Sequence, residues 1–299
     1  MSCWSSLAQS QQSNGTGGPF MSRSQPARLL IGATSLLAVL ACNLARPPQA
    51  QGPTGATSPV PASAGIPVSA TPIRLTIPDG LATGATAETI DVVTDQTGAP
   101  WDVAPAHLQL TFQGYALQVS FHVPQLFVYP AQQYGSMSPA ATESLKRLQA
   151  VLANPGISYD PDGLPRIPFF NAGQVIAAHQ KVIRFTGGSG VRFITQYAQD
   201  VSPVNNSGLF YHFEGLSDDG KYYIVAILPV NLPFLPADNK PDSAVPSGGV
   251  PFPPGSASGT SYEDYFKEIT NRIDAAPVGQ FTPPLGLLDN LVQSILVDH

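Results

Sequence analysis

The chain has 299 residues, and its 14 Lys and Arg with 20 Asp and Glu make a charged fraction of 11% and a formal net charge of −6, against about 25% charged residues in an ordinary globular protein. With no basic block it lacks the clustered cations that release counterions from phosphates, which excludes a nucleic-acid binder. A hydrophobic fraction of 43% excludes disorder throughout and suffices for a core in one domain of roughly 200 residues.

Met1 to Phe20 is polar and rich in Ser, Gln and Gly, without the pattern of a folded element. Met21 opens a different segment: Arg23 and Arg28 supply positive charge, and LLIGATSLLAVLA, from Leu29 to Ala41, follows with thirteen uncharged and mostly apolar residues. A membrane-spanning helix needs about 20 such residues, so the run reads as the apolar core of a signal peptide, with translation starting at Met21 and a signal region over 1–41. The two cysteines, Cys3 and Cys42, are too few for a disulfide framework or a zinc site.

Cys42 closes the sequence Val39-Leu40-Ala41-Cys42, which resembles the lipobox of bacterial lipoproteins. The resemblance implies cleavage after Ala41, a thioether-linked diacylglycerol with further acylation such as palmitate on Cys42, and anchoring of the mature protein to a membrane through those chains. Two positions depart from the family's preference. Val39 stands where Leu is commonest, and Leu40 where a smaller or β-branched residue is preferred. Cleavage by ordinary signal peptidase at Val39-x-Ala41 is the alternative, and it would leave a free thiol. Asn43 is not the Asp that retains lipoproteins in the inner membrane of a Gram-negative cell, so in such a cell the family rule implies the outer membrane or the cell surface. Loss of Arg23 and Arg28 leaves the mature chain more acidic, so the acyl chains must do the anchoring.

Residues 42–72 combine lipid attachment with a Pro-rich tether, which is polar and too poor in apolar surface to fold. One globular domain is expected over 73–299. Ile73 to Ile77, Glu88 to Val93 and Ala116 to Val123 read as strands from their alternation and β-rich composition. Ser138 as cap, Pro139 in the first turn, and Ala141, Leu145, Leu148 and Leu152 at helical spacing predict a helix that ends at Asn154-Pro155-Gly156. Lys181 to Phe185 and Val191 to Ala198 form a hairpin around Gly187 to Gly190. A second hairpin pairs LFYHFEG with KYYIVAIL across Leu216 to Gly220. The Pro/Gly-rich stretch 233–260 reads as an excursion within the domain. Two helices close the chain, the first with Ser261 and Asp264 in a capping arrangement and Tyr262, Tyr265, Phe266, Ile269 and Ile273 on one face. The second is expected to have Thr282 as cap, Pro283 at its start and a stripe of Leu288, Leu291, Val292 and Ile295. The fold class is therefore α+β: an antiparallel sheet built from hairpins, with one mid-chain helix and two C-terminal helices packed on it.

Motifs that carry chemistry are sparse. At Gly187 the sequence GGSGV fails the GxSxG pattern at Val191, and neither a phosphate loop nor HExxH occurs. His107, His122, His179, His212 and His299 show no helical metal-binding spacing. Asp160 to Gly163 and Asp218 to Gly220 lack the full oxygen set of a calcium loop and read as turns. No metal or cofactor is expected. The series GSGVRF, TQY, LFY and DGKYY, between Pro168 and Pro229, resembles a group of uncharacterised bacterial extracytoplasmic proteins, which implies one coherent β-rich core and carries no activity. Strand alternation could bring Arg184, Arg192, His212 and Glu214 onto one partly polar surface, the candidate site, with exposed cross-strand salt bridges as the bland alternative.

Three function classes follow. The leading one is a non-enzymatic, lipid-anchored binding or envelope-interaction module outside the cytoplasm, whose partner is an envelope protein or small ligand. A hydrolase using Ser189 or another hydroxyl with His212 and an acid such as Asp200 or Glu214 is the second. An accessory subunit of an envelope complex is the third.

Overall fold

The computed structural model describes residues 65–94, 99, 101, 103–117, 120–254 and 259–298. Met21, the apolar run, Cys42 and His299 lie outside the described residues. Among the described residues, ten strands and four α-helices follow one another as β1 (Gly65–Ala70), β2 (Ile73–Pro78), β3 (Gly84–Ile90), β4 (His107–Gln113), β5 (Gln125–Pro130), α1 (Ala131–Met137), α2 (Pro139–Ala153), β6 (Gly173–Phe185), β7 (Gly188–Ala198), β8 (Phe210–Ser217), β9 (Tyr222–Pro229), α3 (Gly259–Asp274), α4 (Leu285–Gln293) and β10 (Leu296–Val297). They form a seven-stranded antiparallel sheet in the order β3-β4-β5-β9-β8-β7-β6 and a small sheet in the order β1-β2-β10. The α+β class expected from the hairpins is what the chain adopts.

Both faces of the large sheet are covered. One packs Ile194, Tyr211, Phe213 and Ile224 against α3, α4 and the small sheet, and the other packs Phe193, Phe210, Tyr223 and Val225 against α1 and α2. Burial on two sides explains why β8 and β9 read as nearly continuous apolar runs rather than as a clean alternation. All eight residues of β9 are at least half-buried.

The helix at Ser138 forms as its sequence dictates. The Ser138 hydroxyl accepts from the Ala141 N–H at 3.3 Å, Pro139 occupies the first turn, and Ala141, Ser144, Leu148 and Val151 are buried. The β8–β9 hairpin also forms, with Gly220 at φ +70 in its turn and the Asp219 carboxylate accepting from the Ser217 hydroxyl at 2.7 Å.

Elsewhere the boundaries move. The Pro-rich stretch ending at residue 72 contributes β1, paired with β2 along its full length. Pro67 is tolerated there because β1 is an edge strand and needs no donor on its open side. The segment from Ala116 to Val123 has none of its described residues in a strand. The pairing falls instead to β4 and β5, on either side of it, in a register that opposes Leu110 and Leu126. The turn of the β6–β7 hairpin lies at Thr186 and Gly187, so Gly188 and Gly190 are strand residues. A Cβ on Gly190 would meet the Glu214 carbonyl oxygen and the Phe213 ring, both at 2.4 Å, so this glycine serves close approach rather than the turn.

Helix α3 starts at Gly259, upstream of Ser261. Helix α4 starts at Leu285 without a side-chain cap, and Thr282 instead exchanges both backbone hydrogen bonds with Asn231, at 2.8 and 3.0 Å. The excursion after Pro233 stays on the domain, because Phe234, Leu235 and Val250 are buried in the same core as α3 and α4. Among the described residues, no helix is long and apolar enough to cross a membrane.

Candidate functional site

The large sheet divides the four residues expected on one surface. Arg192 opposes Phe213 across β7 and β8, which puts it on the α4 side, whereas His212 opposes Phe193 on the α2 side. Glu214 follows His212 two residues on and shares its face. Arg184, opposite Ser189 at the end of β6, shares that face by register but is exposed, whereas His212 and Glu214 are fully buried. The expected common surface therefore does not form.

Arg192 is a buried structural pin. Its Nε lies 3.2 Å from the Asp289 carboxylate, which also receives Tyr211 Oη at 3.1 Å and Lys181 Nζ at 2.8 Å. Its Nη1 donates to the carbonyl of His179, a residue at φ +51 inside an irregularity of the β6 ladder. The His179 ring in turn bonds the Ile273 carbonyl of α3 at 2.8 Å. This network fastens β6, β8, α3 and α4 together, and a buried cation demands such complete pairing.

His212 and Glu214 are fully buried. Nε2 of His212 donates to the Ile167 carbonyl at 3.0 Å, and Oε2 of Glu214 accepts from the Ile167 N–H at 3.0 Å and from Tyr223 Oη at 2.5 Å. The two side chains approach to 3.6 Å, yet they are no ion pair at neutral pH. Burial pushes the Glu214 carboxyl up to about 8, with the hydrogen bonds from Tyr223 and Ile167 and the Arg166 charge opposing it less strongly. Burial also pushes the His212 imidazole down to about 3. Arg166 does not overcome this, since its guanidinium is bonded to Asp162 and Pro161. Both side chains are thus neutral and clamp the segment at Ile167 to the sheet, while Glu214 Oε1 and His212 Nδ1 remain without hydrogen-bond partners.

The hydroxyl arrangement is not assembled either. Ser189 opposes Leu216, four residues along β7 from the Phe193 and His212 pair, a separation of about 13 Å. Asp200 lies beyond the other end of β7.

That end of β7 carries a feature the sequence did not single out. A cleft of about 520 Å³ opens between residues 121–122, 170–172, 196–208 and Asn239, within the roughly 300–1,000 Å³ of small-molecule sites. Its floor is rigid. Asn205 N donates to Gln196 Oε1 at 2.9 Å, both side chains donate to the Pro203 carbonyl, and Gly208 N donates to Asn205 Oδ1 at 3.0 Å. Phe121 N donates to the Ser207 carbonyl at 2.8 Å, and Ser207 N to that of Ala237 at 3.1 Å, which brings three distant segments to one rim.

One wall is aromatic. Phe170 lies 4.6 Å from Tyr197 and 5.6 Å from His122 between ring centroids, and His122 lies 5.1 Å from Phe121. Phe121 is 79% exposed. Burial holds the His122 imidazole neutral, down at about 4. The lining is also polar: Asn171, Asp200, Ser202 and Asn239 belong to the cleft, and among the described residues their side chains make no hydrogen bond or ion pair. Behind this wall, His122 packs on Phe210 at 4.3 Å and Phe210 on His212 at 5.4 Å, so the buried polar pair supports the cleft from within the core.

The described residues contain no group of three or more His, Cys, Asp or Glu able to hold a metal ion. Compared with known proteins, the chain matches no family model, no curated protein and no solved structure.

Proposed function

We propose that this protein is a lipid-anchored extracytoplasmic binding module, held to a membrane through acyl chains on Cys42, that takes up a small ligand in the cleft at the end of β7. One observation carries the binding half. The cleft brings a cluster of aromatic side chains together with unclaimed amide, hydroxyl and carboxylate groups above a hydrogen-bonded floor, the combination of apolar surface and few polar groups that ligand sites share. A non-enzymatic role suits the site better than hydrolysis, because His212 is sealed in the core and Ser189 lies out of its reach. The location rests on the sequence from Arg23 to Cys42 and its likeness to a lipobox.

The anchor is tested by expressing the full chain in bacteria fed radiolabelled palmitate and measuring the mass of the mature N-terminus. The expected result is label on a chain that begins at Cys42 and carries a diacylglyceryl group, with label and membrane retention both lost in Cys42→Ser. An unlabelled chain with a free Cys42 thiol, or one that begins at another residue, refutes the anchor.

A further inference from the structure

From the composition of the cleft we infer that its ligand is a neutral saccharide, bound with one sugar face against the aromatic side chains and its hydroxyls on the polar ones. The inference rests on reading the cleft as a binding site and goes on to name its ligand class.

Charge narrows the choice first. Among the described residues that line the cleft there is neither Lys nor Arg, and the one charged side chain is Asp200. The nearby Lys240 is directed to Asp238, at 3.3 Å. An anionic ligand such as a nucleotide, a sulfated glycan or a carboxylate would meet a lone carboxylate and no counter-charge, at a cost that the low dielectric of a cleft magnifies.

Polarity excludes the opposite extreme. A purely apolar ligand would cover Asn171, Asp200, Ser202 and Asn239, none of which has a partner of its own among the described residues, and each group left unpaired under it would cost about 1–3 kcal/mol. The ligand must therefore answer amides, a hydroxyl and a carboxylate with hydrogen bonds of both kinds. Vicinal hydroxyls do this, since each donates to a carboxylate or amide oxygen while accepting from an amide N–H.

The aromatic wall supplies the remaining requirement. Phe121 lines the cleft and is 79% exposed, with its backbone N–H bonded to the Ser207 carbonyl, so its ring is open to a ligand. Aromatic faces carry negative potential and attract the weakly positive C–H groups on one face of a pyranose. A ligand with a C–H face and a hydroxyl-bearing edge matches a site lined by both aromatic rings and polar side chains. The volume of about 520 Å³ has room for more than one sugar ring.

The test presents the full chain, in mild detergent, to an array of neutral hexose and N-acetylhexosamine oligomers, with sulfated oligosaccharides and a neutral peptide library as comparison probes. Saturable binding to at least one neutral oligosaccharide is expected, weakened tenfold or more in Phe121→Ala and in Asp200→Ala. Both residues are exposed, so the variants should keep the melting temperature of the parent. Binding to sulfated probes alone, or sugar binding that both variants retain, overturns the inference. Peptide binding lost in Phe121→Ala, with no sugar bound, would overturn the ligand class while leaving the cleft as a binding site. If no probe binds in a cleft-dependent way, both the ligand class and the binding-site reading fail.

Discussion

Replacing Glu214 by Gln should uncouple the stability of the domain from pH above the acid range. Burial pushes the carboxyl up to about 8 in the folded chain, against an ordinary value of 4.5. A carboxyl raised in this way favours folding most below its unfolded value, and that contribution is lost as pH rises toward the folded value, because the unfolded chain ionises first. The slope approaches 1.36 kcal/mol per pH unit, so the wild-type chain should lose about 4 kcal/mol relative to Glu214→Gln between pH 5 and 8.5. Gln preserves the shape, and its carbonyl can accept from the Ile167 N–H and Tyr223 Oη as Glu214 Oε2 does. Urea denaturation of both proteins across this range measures the gap directly, and taking the difference cancels the contributions of the histidines. A gap that stays constant with pH would mean that Glu214 is ionised in the folded protein, and would refute the description of a neutral buried pair.

Four further outcomes follow from the same packing. Asp289→Ala should destabilise the domain by about 3–5 kcal/mol in equilibrium denaturation, because Arg192 would be left buried and unpaired, whereas Lys181→Ala, at a half-exposed ammonium, should cost no more than about 1 kcal/mol. Gly190→Ala should lower stability by about 1–3 kcal/mol or more, since the new methyl group meets the Glu214 carbonyl and the Phe213 ring; an unchanged urea midpoint would contradict the close approach. Leu148→Ala, in a helix face with no exposure, should cost about 2–5 kcal/mol by the same measurement. On the acid side, His212 and His122 are held down at about 3 and about 4, so the stability they confer is full above their ordinary value and is lost as pH falls toward the folded values. Calorimetry between pH 6.5 and 4 should show a falling melting temperature.

Sequence patterning was informative wherever one local signal governed the outcome. Ser138 with Pro139 marks the start of α2 because capping is decided within a single turn, and Asp219-Gly220 marks the β8–β9 hairpin because a positive φ is needed there. The small sheet and the β4–β5 pairing were obscure for a different reason. Pro67 looks like tether and becomes an edge strand only when β2 lies beside it.

The candidate quartet shows what alternation cannot resolve. Each strand's two faces could be written down from period two, but which face of β7 joins which face of β8 depends on register, and the pairing of Arg192 with Phe213 sends the arginine and His212 to opposite sides. His212 and Glu214 share one face, as a period of two dictates. Their burial was not legible, since nothing local announces that α2 and the Ile167 segment cover that face. The cleft was invisible for the most basic reason: Phe121, Phe170, Tyr197, Ser207 and Asn239 come from separate segments, and only the folded chain gathers them.

The most direct test of the cleft as the functional surface is a crystal structure of the chain soaked in a neutral oligosaccharide that it binds in solution. The account predicts density for a sugar ring lying on Phe121, with hydroxyls within hydrogen-bond distance of Asp200 and Asn171. A cleft left empty while the sugar occupies another surface would contradict it.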